Sequence, residues 1–338
     1  MKTLLFSLFF VACKGTPSPD DTSVSGEPDW SLMADQVSSG VLLSMWAPSE
    51  TEVLMVGGGM LKEGPGVLVR YRPEERTLCQ ETLLEDSALW WIHGSGADPE
   101  EWYAVGEKGT ILHHTAADGL VDESVDYSGT FYGVWDDGDT TWAVGGRLGG
   151  SATGSGAIWR KDESGWAVFE QELPGVIFKV WDGHFVGNEV AYRLADGETL
   201  EEISPGETKL LTLRGRDDSD IWAVGGAHSA EVLHFDGAAW SSIQTAGLGL
   251  PLMGVWTAPG EAVWVSGMSG VQGFSEDQGE NWTIPNFPIT SNSFHAVLKH
   301  GEEVLFAGGN LMSTGPDYHG TIGRYGPEKT LISATDCQ

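Results

Sequence analysis

Seven short apolar segments, each ending in glycine, recur along the 338-residue chain at nearly even spacing. The clearest are Tyr103-Ala104-Val105-Gly106, Trp142-Ala143-Val144-Gly145 and Trp222-Ala223-Val224-Gly225. Weaker copies are Leu54-Met55-Val56-Gly57, His184-Phe185-Val186-Gly187, Trp264-Val265-Ser266-Gly267 and Leu305-Phe306-Ala307-Gly308. The intervals between successive terminal glycines are 49, 39, 42, 38, 42 and 41 residues. A period near forty residues marks a repeat architecture, in which each unit buries its apolar faces against copies of itself. Another apolar segment precedes several anchors, as in Gly133-Val134-Trp135, Val180-Trp181 and Gly254-Val255-Trp256. A third follows, as in Gly109 to His113 and Glu231 to His234, and a turn and a fourth close the unit, as in Asp236 to Trp240.

Four short strands per unit describe the blade of a β-propeller. The expected fold is all-β: a propeller of about seven four-stranded blades, with six or eight also compatible with the weaker repeats. Solenoid β-helices have shorter periods and rank below. The 47 glycines and 15 tryptophans agree with strands joined by tight turns. Arg70 to Leu78 nearly matches Arg324 to Leu331, so the first and last units should be neighbours where the ring closes. A closed ring of this kind is expected to be monomeric.

The start of the chain reads as an export signal. Met1 to Ala12 is one lysine followed by an apolar run too short to span a bilayer. Phe10-Val11-Ala12-Cys13 resembles a bacterial lipobox, which implies lipidation of Cys13 and an outer-membrane lipoprotein, or a secreted protein where the cut falls elsewhere. The Pro-, Ser-, Thr- and Asp-rich stretch after it cannot bury enough apolar surface to fold. The expected layout is a signal peptide over 1–12, a lipidated Cys and disordered tether over 13–38, and the propeller over 39–338. Exported proteins keep disulfides, so Cys79 and Cys337 are expected to pair and tie the last segment to the first blade.

Ser275, Asp277, Gly279 and Trp282 match the Asp-box pattern S-x-D-x-G-x-x-W, similar to that of BNR and sialidase-like propellers. Lys161 to Trp166 and His234 to Trp240 look like degenerate copies. Doubled glycines at 57, 145, 225 and 308 resemble kelch repeats, and the Trp-Ala-Val-Gly segments are similar to repeats of exported bacterial propeller lipoproteins. These resemblances imply a fold and leave activity open, because propellers host many functions.

A formal net charge of −31 excludes nucleic acid and docking on anionic lipid, so the membrane would be met only through the lipid anchor. Much of the acidity falls in the turns between first and second strands and between third and fourth strands, which share one face of a propeller. Examples are Asp136, Asp137, Asp139, Asp217, Asp218, Asp220, Asp236 and Glu280. These read as turn formers; calcium is the cation they would suit, although no EF-hand spacing occurs, and no metal or cofactor is assigned. The opposite face carries longer, nearly neutral loops, the kind that carry binding. Its candidate ligand residues are Lys62, Arg147, His228, Met312, Tyr318 and His319.

The chain contains no nucleophile elbow, phosphate loop, His-Glu-x-x-His or Cys-x-x-Cys. His113 and His114 are neighbours in a strand and point to opposite faces, so they cannot chelate together. The expected function is a non-enzymatic binding or scaffold module on the cell envelope, for a protein or glycan. The alternatives are a carbohydrate-active enzyme working on the neutral face, then an assembly factor for an envelope complex.

Overall fold

The computed structural model describes residues 26–37, 40–59, 64–149, 151–206, 208–310 and 318–337. Its strands form seven sheets, each of them antiparallel among its own blade strands. The innermost strands, in chain order, are Val41–Ser49, Leu89–His93, Thr130–Asp136, Ile177–Trp181, Leu210–Asp217, Leu252–Trp256 and Ser293–His300. Each packs against the innermost strand of the next blade, and the last packs against the first, so the ring closes as a seven-bladed β-propeller.

The repeated Trp-Ala-Val-Gly segments form the second strand of each blade, and their alternation is the alternation of a strand between two neighbours. In blade 3, Ala143 faces the core shared with blade 2, while Trp142 and Val144 face the core shared with blade 4. In blade 5, Ala223 and Val224 divide between the two flanking cores in the same way. The glycine that ends each segment is required by close approach. A Cβ at Gly57, Gly106, Gly145, Gly187, Gly225, Gly267 or Gly308 would lie 1.8–2.4 Å from the carbonyl oxygen just ahead of, or at the start of, that blade's innermost strand. No side chain fits such a gap, so the repeat records where two backbones touch.

Blade 6 is the irregular one. It has three strands, and only a Phe274–Thr283 bridge stands where a fourth would pair. Ser275 to Trp282 forms the intervening turn. Asp277 accepts from the Asn281 amide at 2.8 Å and from the Ser275 hydroxyl at 2.8 Å. The Gly279 amide donates to Ser275 Oγ at 2.8 Å. Trp282 donates from Nε1 to the Gln244 carbonyl of the preceding blade at 2.8 Å.

Both ends of the described chain join in closing the ring. Strand Asp29–Val37 is the outer strand of blade 7, antiparallel to Gly320–Gly326. Strand Ala334–Asp336 runs parallel to Thr77–Leu84, the outer strand of blade 1. Cys79 and Cys337 form a disulfide beside it. Residues 29–37, expected to belong to a tether over 13–38, are thus a strand of the propeller. Met33, Ala34 and Val37 are buried, and Trp30 lies among Trp264, Phe274, Phe306 and Tyr325, with its ring centre 4.8 Å from that of Tyr325. That apolar surface offsets the entropy of ordering the segment once blade 7 provides its partner strand. Cys13 lies outside the described residues.

Candidate functional site

Each innermost strand departs from regular pairing at one shared place, and those of blades 1 and 5 slip a second time near their ends. The register against the second strand slips directly after the residue opposite the anchor glycine, in all seven blades. The residue left without a partner is Leu43, Trp90, Tyr132, Phe178, Leu211, Met253 and His295 in turn. A β-bulge re-aims the side chain it carries. Here all seven turn inward and line one cavity of about 230 Å3 at the mouth of the central channel. Trp91, Lys179, Lys209 and Leu148 complete its wall. Leu148 lies near the end of strand Thr141–Gly149, where the second strand of blade 3 turns into the third, and is 69% exposed, so the funnel opens on the face of the second-to-third-strand connections.

The funnel is apolar and aromatic, with its formal charge all of one sign. Among the described residues no Asp or Glu lines it, whereas the clefts on the opposite face are rich in carboxylates, for example Asp196, Glu201, Asp217 and Asp218 in one and Glu52, Glu74, Glu75 and Glu100 in another. Lys179 donates to the Tyr132 carbonyl, and its Nζ lies 4.0 Å from the centre of the Trp91 ring. Burial alone holds its pKa down to about 7. Burial, reinforced by the nearby Lys179, lowers His295 to about 3, so its imidazole is neutral at physiological pH. Arg214 is half-buried, with its Nε enclosed and unpaired and its guanidinium over Trp135 at 5.8 Å. His93 stacks on the same indole at 4.2 Å and is lowered to about 3 by burial and by Arg214.

The candidate residues picked from sequence lie elsewhere. Lys62 and Met312 are outside the described residues. Arg147 is exposed, bonds Ser128 at 3.0 Å and packs over Tyr127. His228 is exposed in the blade 5 bend, and the His319 amide donates to Asn310 at 2.7 Å. Tyr318 adjoins it. None of these four lines the funnel, although Arg147 is the immediate neighbour of Leu148, which does. The signal that finds the funnel is positional: its residues stand two before the valine of the Gly-Val-Trp segments, as Tyr132, Phe178 and Met253 do. Among the described residues no group of three or more His, Cys, Asp or Glu side chains is placed to hold a metal ion. His113 and His114 stack on Tyr103 and Trp102 at 4.1 and 4.9 Å.

By sequence the chain matches no protein-family model and no curated protein. By structure it is similar to many propellers. YCF48 bound to a D1 peptide superposes with a TM-score of 0.62 at 18% identity, over 88% of this chain and 96% of that one. A virginiamycin B lyase from Staphylococcus aureus, in an inactive variant with quinupristin, gives 0.67 at 12% identity, over 89% and 99%. The WD40 propeller domain of Doa1 gives 0.64 at 8% identity, over 90% and 98%. Such low identities establish the fold alone. Their differing roles show that the scaffold does not dictate the chemistry.

Proposed function

We propose that this chain is a lipoprotein of the bacterial cell envelope, anchored through Cys13, whose propeller is a non-enzymatic binding module for a protein partner. One observation carries the reading: seven bulges place seven side chains around a single funnel on the loop-rich face of a rigid ring. Aromatic groups backed by closed strands are pre-organised and lose little entropy on binding. The likeness to a propeller with a bound peptide is in keeping with a protein segment as the occupant. The carbohydrate-active alternative needs a pair of carboxylates astride a glycosidic bond, and none is among the described lining residues.

The test is a photo-crosslinking amino acid in place of Leu148 in the full-length protein, expressed in its host. Adducts with a defined partner are expected, and they should disappear on adding Phe178→Ala. Equal adducts from the same probe at Glu75, on the acidic face, would overturn the reading. Labelling with an alkynyl fatty acid checks the anchor; it should mark the wild type and spare Cys13→Ser.

A further inference from the structure

We propose that the funnel recognises a carboxylate borne by an apolar or aromatic group, with Lys179 as its counter-charge. The inference rests on the binding role above and names the chemistry that the funnel reads.

The argument begins with the position that follows each bulge. In blades 1, 3, 5, 6 and 7 it holds Ser44, Gly133, Thr212, Gly254 and Ala296. Small residues suit it because the neighbouring innermost strand passes close by. A Cβ at Gly133 would lie 3.0 Å from the Phe178 carbonyl oxygen, and one at Gly254 would lie 3.0 Å from that of His295. Blades 2 and 4 depart from this pattern, with Trp91 and Lys179. These two residues meet across the space that Gly133 leaves, ammonium over indole. Packing alone gives no reason for an ammonium at a position filled elsewhere by Gly, Ala, Ser or Thr.

The charge on Lys179 is also incompletely answered. An ammonium has three donors. Its partners here are one carbonyl and one aromatic face, and no carboxylate among the described residues shares the cavity. A ligand carboxylate would supply a short charge-assisted bond in a desolvated setting, where such bonds are strongest. Lys209 stands at the mouth as a second cation, with its Nζ 5.9 Å from the Phe178 ring centre. In a chain of net charge −31, two of the 18 lysines and arginines line this one small cavity. The long-range field of the protein repels anions, so recognition must come from short-range contact. That disfavours polyanions and favours a single carboxylate beside apolar surface. A volume of about 230 Å3 admits one aromatic or short alkyl group. Two sources present this chemistry: a free aryl or alkyl acid, and the C-terminal residue of a polypeptide.

The experiment measures binding to the full-length protein by tryptophan fluorescence and calorimetry. One pair of probes is 3-phenylpropionate and 3-phenylpropanol. The other is a short acetylated peptide ending in phenylalanine, as the free acid and as the amide. At least one acid should bind saturably and at least tenfold more tightly than its neutral twin, and the pair that responds identifies the source. Lys179→Met should abolish that ratio, and Lys209→Gln should reduce it about threefold. Equal affinity of acid and neutral twin, no binding of either acid, or a ratio that survives Lys179→Met would each overturn the proposal. The probe pairs on the wild type decide the matter even if Lys179→Met fails to fold. Equal affinities would leave the funnel standing as a binding site, whereas only the crosslinking result bears on the partner reading itself.

Discussion

Two lysines show how differently a buried ammonium can be treated. Lys161 bridges blades 2 and 3, with its Nζ 2.7 and 2.8 Å from the Glu123 oxygens and 3.1 Å from the Tyr103 hydroxyl. Glu123 also bonds His113 and the Trp166 indole, each at 2.8 Å. Burial pushes the Glu123 carboxyl up, but the bonds from Lys161, His113 and Trp166 outweigh it and hold the pKa below the ordinary 4.5. A carboxyl depressed in the folded state contributes stability above its unfolded pKa and loses it as pH falls. Glu123→Gln should therefore cost about 2–4 kcal/mol at pH 7 by urea denaturation, with the difference from wild type shrinking below about pH 4. Lys179 has no such partner. Its pKa falls from the ordinary 10.5 to about 7, so between those values the unfolded chain binds the extra proton and stability rises with pH. By that linkage the burial costs up to about 5 kcal/mol at pH 7. Lys179→Met is expected to be more stable than wild type at pH 7 and to lack the rise towards pH 10, as read from urea midpoints. A less stable variant would make Lys179 a packing residue. A residue that weakens the fold where it stands is what a binding site predicts.

At the scale of the strand, the anchor glycine and the bulge are one device. The glycine lets the innermost strand come close, and the slip that follows turns the next side chain into the channel. Gly225→Ala would set its methyl 1.8 Å from the Lys209 carbonyl oxygen. It should cost about 3 kcal/mol in thermal or urea unfolding, and it should also disturb Leu211 in the funnel wall. This explains what the chain discloses of itself. The glycines recur because a steric requirement recurs, so the blades and their count can be read from spacing. The funnel residues share a location and no chemistry: Leu, Trp, Tyr, Phe, Leu, Met and His occupy equivalent places, marked only by their offset from the neighbouring valine and not by their own identities. The backbone register is what shows that they face the channel. Arg147 and His319, the polar residues of the neutral face, are engaged with Ser128 and Glu172 and with Asn310 and Asn292 instead. Strand Asp29–Val37 was hidden for a related reason, since its partner Gly320–Gly326 lies at the other end of the chain and its flank is rich in Pro and Asp.

At the scale of the molecule, closure depends on both ends. Arg76 pairs with Glu328, and the Ile332 amide donates to the Met33 carbonyl at 2.8 Å, so the C-terminal tail touches blade 1 and the N-terminal strand together. The Cys79–Cys337 bridge spans 258 residues. Restricting so long a loop in the unfolded chain is worth about 5 kcal/mol in the chain-entropy model, and disulfides commonly give about 2–4. Cys337→Ser should lose stability in that range and show early hydrogen exchange in Ala334–Asp336, while the far blades keep their protection. The closing strand also fixes an orientation. Strand Asp29–Val37 is a fourth strand of its blade, so it begins at the carboxylate-rich face and ends at the face where the funnel opens. A lipid carried at Cys13, as proposed, would tether the ring by its acidic side. The carboxylate-rich rim, and not the mouth of the funnel, would then stand where the tether joins the ring.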